Sequence, residues 1–423
     1  VIEIYAEPNP VIIGEEVTLF AVPENIESAI WQWQYSTDDA NWTNIDGAND
    51  LSYTFRSDAE NIRLYYRMLA LDPIPEPAAP EAIEPEPEPE STEEAPLLSQ
   101  LGALLFPVAL AEPGNFIASG SLLLGSLGYP EAAIVETDEL YLTLEEAVDA
   151  AEDGQTIELL GDITLEETLV IDKELTLRAD GSFRISRGGF DSGSVLSVWP
   201  GKSLTLGGSG TLTLDGCNRG GAVVESNGAL TMLDGARITG GNSGGVFTYG
   251  AFTMHGGSIS GNSGEYGGGV NISYNGTFTM TGGTISGNTA SCGGGVFINN
   301  FTGCAFEMTG GTISGNSASE FGGGGVHNRG TFTMSGGTIS GNDAPVGGGV
   351  DVDNDGTFTM SGGTISDNDA TGGGGVVVVN GGTFLMSGGK ISDNDATDGG
   401  GVFNLGQFTM EDGTISGNDA TRW

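Results

Sequence analysis

From Leu230 onward, large apolar side chains return at a regular interval between threonines and glycines. The segment GTFTMSGGTISGNDAPVGGGV (330–350) is one period of that pattern. In GTFTM, strict alternation sets Phe332 and Met334 on one face and Thr331 and Thr333 on the other, the period of a strand with one buried side. In TIS the apolar residue is Ile339, and after the glycine run it is Val350. One period therefore predicts three short strands that supply a Phe/Met wall, an Ile wall and a Val wall to a three-sided coil.

Aligned on methionine, the periods fall at Met232, Met254, Met280, Met308, Met334, Met360, Met386 and Met410, with spacings of 22, 26, 28, 26, 26, 26 and 24 residues. A period near 26 residues is in the solenoid range. Coils stacked at the ~4.8 Å strand spacing, about ten of them from near residue 157, would make a rod roughly 50 Å long. Glycine runs permit the positive φ of tight corners. Asn262, Asn288, Asn316, Asn342, Asn368, Asn394 and Asn418 recur at one turn position, where an asparagine ladder would hydrogen-bond successive coils.

Upstream, TLEEAVDAAEDG (143–154) reads as a short helix: Thr143 and Glu146 form a capping box, and Leu144, Ala147, Val148 and Ala151 share a face. Short strands follow in QTIELLGDITLEETLVIDKELTLRAD (155–180). Residues 1–72 alternate in VTLFAV (17–22), IWQWQYS (30–36), LSYTF (51–55) and LYYRMLA (64–70), which predicts a β-sandwich with Trp31, Trp33 and Tyr35 on one face. Residues 73–96 hold eight Pro and eight Glu with no basic residue, and read as a semi-rigid solvated spacer. Residues 97–135 are apolar and read as a connector of unassigned structure, and 136–423 as the solenoid. LLSQLGALLFPVALAEPG (97–114) sounds like a signal peptide core, but it is internal, lacks a basic flank and contains Pro107. Any leader is expected to have been removed ahead of Val1.

The net charge of −44 argues against nucleic acid and anionic lipid as partners, because both require clustered positive charge. A polyanionic partner would need a bridging divalent cation. No 18-residue apolar run is present, so no direct membrane insertion is expected. The three cysteines lack zinc-ligand spacing; Cys292 and Cys304 flank one unusually long period, which leaves a local bridge open.

Two resemblances rest on these residues. GEEVTL, WQWQYSTDDANWTNIDGA and YYR resemble the Ig-like modules of bacterial surface proteins, although the sandwich cysteine pair is missing. The capping helix, the strand ladder, GxFxMxGGxISxN and GGGV together resemble pectin lyase-like right-handed parallel β-helices over roughly 280 residues. The first resemblance implies a bacterial extracellular setting. The second implies a fold that hosts polysaccharide lyases, hydrolases, adhesins and inert stalks alike, so function must be argued from a site.

Five candidate features emerge. Alignment on GGGV sets His327 beside Asp351 and Arg329 beside Asp353 on the outward face, either a surface ion-pair cluster or the catalytic residues of a polysaccharide-cleaving enzyme. Asp343, Asp369, Asp395 and Asp419 follow the ladder asparagine in four successive periods, flanked by Asp367 and Asp393. Stacked at ~4.8 Å they would repel by roughly 1 kcal/mol per pair, which makes them the candidate for Ca²⁺. DVDNDG (351–356) matches the opening of an EF-hand loop, but Gly362 stands where the bidentate Glu belongs. The residue after each wall valine varies freely, as Phe247, Asn271, Phe297, His327, Asp351, Val377 and Phe403. This is the expected recognition row, with Phe247, Phe297, His327, Asp351 and Phe403 as its binding residues. Rows of outward threonines (Thr277/Thr279, Thr331/Thr333, Thr357/Thr359, with Thr211/Thr213 further back) resemble ice-binding faces, but Ala229, Ala251, Ala305, Glu307 and Leu385 break the lattice.

The expected whole is an Ig-like β-sandwich, an acidic spacer and an all-β right-handed parallel β-helix. Its expected function is a non-enzymatic extracellular rod that presents a lateral surface to a host or matrix glycan or protein, or to a neighbouring cell surface. A polysaccharide lyase or hydrolase is the rival. A filament subunit that self-associates through the solenoid end is the third reading, because the last period stops at SGNDATRW (416–423) without a polar cap.

Overall fold

The computed structural model describes residues 2–7, 16–23, 30–36, 42–56, 65–71, 116–123, 130–189 and 193–421. The chain divides into two compact units, Val1–Tyr129 and Pro130–Trp423. The acidic spacer at 73–96 lies outside the described residues.

In the first unit, Ile2–Glu7, Glu16–Pro23 and Ser52–Arg56 form one antiparallel sheet. Thr43–Asn44, Ile30–Ser36, Tyr65–Leu71 and Phe116–Leu123 form another. Alternation in each strand sends Val17, Leu19, Ala21, Trp33, Tyr66 and Met68 into one shared core, with Trp31 and Tyr35 packed against it. The Trp33 indole N–H is satisfied by the Asp50 carbonyl at 3.0 Å, as a buried donor requires. Phe116–Leu123, from the segment read as a connector, pairs with Tyr65–Leu71 and so belongs to this unit.

The second unit is a parallel β-solenoid. Ten strands of the Val wall, from Leu169–Ile171 to Val402–Asn404, stack in one sheet. The Phe/Met and Ile strands join in a 22-stranded sheet; Thr383–Ser392 and Gln407–Ser416 each run unbroken from one wall into the other. Register is uniform: Phe252, Phe278, Phe306, Phe332, Phe358, Phe384 and Phe408 lie over one another coil by coil. Their ring centroids are 4.6–4.9 Å apart. The stacking distance of aromatic rings matches the strand spacing, so the same residue in each coil gains ring contact as well as burial.

Each regular coil has four strands, where the repeat predicted three. A seven-stranded ladder, from Ser263–Tyr266 to Asp419–Ala420, lies between the ladder asparagines and the glycine runs. Its inward residue is a small one, Ala290, Ala318, Ala344, Ala370 or Ala396, all buried. A lone alanine per period leaves almost no hydropathic trace, and for that reason the strand reads as a turn.

The asparagine ladder forms as expected. The backbone N–H and the Nδ2 of Asn316 both donate to Asn342 Oδ1 at 3.0 Å, and Asn316 Nδ2 also donates to the Ile285 carbonyl of the preceding coil at 3.0 Å. Just before the ladder residue, Gly261, Gly287, Gly315, Gly341 and Gly417 have φ between 62° and 68°, whereas Asp367 and Asp393 hold φ of 57° and 59°. A left-handed conformation is costly for a residue with a Cβ, so Asp367→Gly is expected to stabilise the solenoid by about 0.5–1 kcal/mol. A rise in the denaturant midpoint at unchanged slope would check it.

The N-terminal end is closed. Thr143 Oγ1 accepts from the Glu146 N–H at 3.2 Å and caps the helix Leu144–Ala150, which buries Leu144, Ala147 and Val148. The hairpin Ala132–Ile134 and Glu139–Tyr141 pairs antiparallel with Thr156–Leu159, the first strand of the coils. Exposed strand edges invite pairing with other chains, and the hairpin and helix occupy this one. Among the described residues no helix is long and apolar enough to cross a membrane.

Candidate functional site

The outward row of the Val wall follows the expected register: Phe247, Asn271, Phe297, His327, Asp351, Val377 and Phe403 in successive coils. Its exposure does not. Asn271, Phe297, His327, Asp351 and Val377 are buried, and Phe247 and Phe403 are half-buried. The reason is the fourth ladder, whose corner closes over the row. A Cβ added to Gly347 would sit 2.8 Å from Val377 Cγ1, one on Gly399 2.8 Å from Phe403 Cβ, and one on Gly322 would overlap the Asp351 carboxylate. The glycine run is thus needed twice, for its positive φ at Gly347 (61°) and for the close approach of corner to side chains.

Within that corner lies the charged cluster. His327 Nδ1 is 3.0 Å from Asp351 Oδ2, His327 Nε2 is 3.6 Å from Asp353 Oδ2, and Arg329 Nε is 3.2 Å from the same Asp353 oxygen. The expected surface ion pairs are therefore an enclosed network at the His327–Asp351 end, with side chains 6% and 5% exposed, opening outward at Asp353 and Arg329. Phe297 stacks on the imidazole with centroids 5.1 Å apart and an interplanar angle of 3°. Asp351 Oδ1 is buried without a hydrogen-bond partner among the described residues.

Burial alone would push the His327 pKa down, but the Asp351 and Asp353 carboxylates outweigh it and raise it to about 9. The His327 imidazole beside it is the main cause that holds Asp353 below the usual carboxylate range, against its own burial, and Arg329 adds to it. Next to the cluster, burial pushes the Cys292 thiol up to about 11, and the charge of Asp351 adds to the rise. At neutral pH this site consists of an imidazolium committed to two carboxylates and a protonated thiol. General acid–base work calls for a group poised near the operating pH with access to substrate. Gly322→Ala, which drives a methyl into Asp351, is expected to destabilise by about 2–3 kcal/mol, read by thermal unfolding of the two proteins side by side.

The aromatic surface continues two to four residues beyond that row, at positions the repeat does not mark. Phe247 stacks on Tyr249 (4.9 Å), Tyr249 meets Tyr274 (5.4 Å), and Tyr274 stacks on Phe301 (4.3 Å). Tyr274 is 58% and Phe301 41% exposed. Tyr274 and Asn275 hold φ of 48° and 71°, a conformation that bulky residues seldom adopt outside functional segments. Phe301 belongs to the coil with the 28-residue spacing, in the turn between Val296–Ile298 and Ala305–Met308. That irregular spacing is the signal which could have found it.

Asp343, Asp369, Asp395 and Asp419 stack in register on the fourth ladder and are exposed. They stand in single file, and among the described residues no group of three His, Cys, Asp or Glu side chains converges to hold a metal. DVDNDG contributes Asp351 to the corner and Asp355 (φ 65°) to a turn. Cys292 and Cys304 are both buried free thiols, so the local bridge does not form. The outward threonine column is interrupted by Ala251, Ala305, Glu307 and Leu385 in register. No family model matches this chain, and neither a curated protein nor a solved structure matches it.

Proposed function

We propose that the chain is a non-enzymatic, extracellular rod of the bacterial cell surface, in which the solenoid presents a lateral edge to a host or matrix glycan or protein or to a neighbouring cell. In this reading the first unit is an Ig-like spacer module and the solenoid is of the pectin lyase-like type. The observation that carries the proposal is the aromatic run of half-buried Phe247 and Tyr249 and exposed Tyr274 and Phe301 on an otherwise repetitive scaffold. The repeat accounts for its own walls and ladders, but not for a strained tyrosine and an exposed phenylalanine that stack in solvent.

The hydrolase or lyase reading rests on His327, Arg329, Asp351 and Asp353. Against it stand the enclosure of His327 and Asp351 and the rise of the imidazole pKa to about 9. The filament reading needs an open end on each partner; the helix Leu144–Ala150 and its hairpin close the N-terminal one to strand addition.

A binding screen of the full chain against neutral and acidic glycans and matrix proteins, with and without Ca²⁺, tests the proposal. Saturable binding without turnover is the expected result, and Ca²⁺ dependence would assign the cation to the Asp343, Asp369, Asp395 and Asp419 ladder. Turnover of an acidic glycan that is lost in His327→Ala would replace the proposal with the enzyme reading.

A further inference from the structure

We propose that the aromatic run of Phe247, Tyr249, Tyr274 and Phe301 is a docking edge for a basic polypeptide that carries an apolar anchor. The inference rests on the reading of the solenoid as a laterally binding rod and names the partner's chemistry.

Geometry limits the occupant first. Successive rings turn toward one another at 4.3–5.4 Å, with interplanar angles of 14–34°. Faces between neighbouring rings are therefore spent on each other, and what the inner rings Tyr249 and Tyr274 offer is largely ring edges. A sugar stacks through its C–H bonds on an open aromatic face, which these inner rings withhold. Aliphatic side chains pack against ring edges without that requirement, and Tyr and Phe are the residues enriched where proteins meet.

Charge narrows it further. The net charge of −44 gives the chain a field that concentrates cations and repels polyanions. Acidic groups bracket the run itself. Glu225 lies in register with Phe247 in the preceding coil and raises the Tyr249 pKa along with burial, the larger cause. Further along the same edge, beyond Arg329, whose charge Asp353 takes up at 3.2 Å, stands the exposed Asp355. Apolar rings between carboxylates complement a polypeptide in which basic residues flank a leucine-like anchor.

Construction supports a dedicated role. Two coils depart from the repeat to build the pair at its exposed end: one holds Tyr274 at a φ of 48°, and the next spends its longer turn on Phe301, 41% exposed. Strain and exposure at one point are features that folding alone would not maintain.

The test uses the full chain and two synthetic peptides of equal length and charge, one alternating Lys with Leu and one alternating Lys with Ser, with dextran as a neutral glycan. The Lys/Leu peptide is expected to bind at least about tenfold more tightly than the Lys/Ser peptide. Tyr274→Asn/Phe301→Ser should reduce Lys/Leu binding to the Lys/Ser level while its thermal transition stays with the parent's, since Asn tolerates the left-handed region. Phe301→Ser alone, in the longer turn, provides a second variant with the Tyr274 turn intact. Equal binding of both peptides by the parent, undiminished Lys/Leu binding by the variants, or dextran binding that depends on Tyr274 and Phe301 would each overturn the inference. A matrix protein or glycan bound equally by parent and variants would leave the lateral rod standing and remove this edge. Absence of binding in every arm would remove both.

Discussion

Asn342→Ala is expected to destabilise the solenoid by about 3–5 kcal/mol. The side chain accepts from the Asn316 backbone N–H and from Asn316 Nδ2, both at 3.0 Å, and its own Nδ2 donates to the Ile313 carbonyl at 3.1 Å and to Asn368 Oδ1 at 2.9 Å. All of this occurs at a residue only 1% exposed. Truncation leaves donors with no water to turn to, and each buried orphan costs roughly 1–3 kcal/mol. Because Asn342 bonds the coils on both sides, the damage should spread to the adjacent coils. Hydrogen exchange would show it as lost protection at Asn316 and Asp343, with denaturant unfolding giving the magnitude. A loss below about 1 kcal/mol would mean that apolar stacking alone holds the corner. Asn342→Asp should recover little, because a carboxylate can accept but cannot donate to Ile313 and Asn368.

Asp351→Ala should cost about 3–5 kcal/mol, since it leaves the His327 charge enclosed without its nearest partner. The neighbouring coils suggest a sharper comparison. Phe297 and Val377 occupy the same column, so His327→Phe/Asp351→Val turns it continuously apolar. A buried ion pair exchanged for packed hydrophobic groups is often neutral or stabilising, here by up to about 1–4 kcal/mol. The two variants should therefore move stability in opposite directions.

The pH dependence follows from the same groups. His327 has its folded pKa raised to about 9, above the ordinary value of about 6.5, so its contribution is complete below about pH 6.5 and is lost as pH rises through 9. Asp353 has its pKa lowered, so its contribution is present above the ordinary carboxylate range and is lost as pH falls. Stability from this cluster should peak between about pH 4 and 6.5 and decline by roughly 3 kcal/mol toward pH 10. The Phe/Val variant should lack the alkaline decline. An identical alkaline slope in both proteins would place the titrating group elsewhere.

The sequence by itself determined the coil. Phe332, Met334, Ile339 and Val350 return at one spacing, and a parallel stack is the arrangement that buries all of them. Asn342 reads as a ladder residue because it recurs at the corner, and Thr143 with Glu146 announces the cap through spacing alone. These features are periodic or local, so neighbours in the chain carry the information. Only the tertiary structure decided which outward residues meet solvent. His327, Asp351 and Phe297 alternate outward in the strand, yet the Asp343–Val346 segment folds back and the glycine corner closes over them. That closure depends on a strand marked by one alanine and on backbone approaching side chains across coils, neither of which leaves a hydropathic pattern. The same holds for Tyr274 and Phe301, which become one exposed stack because a left-handed turn and a longer loop in different coils meet in space.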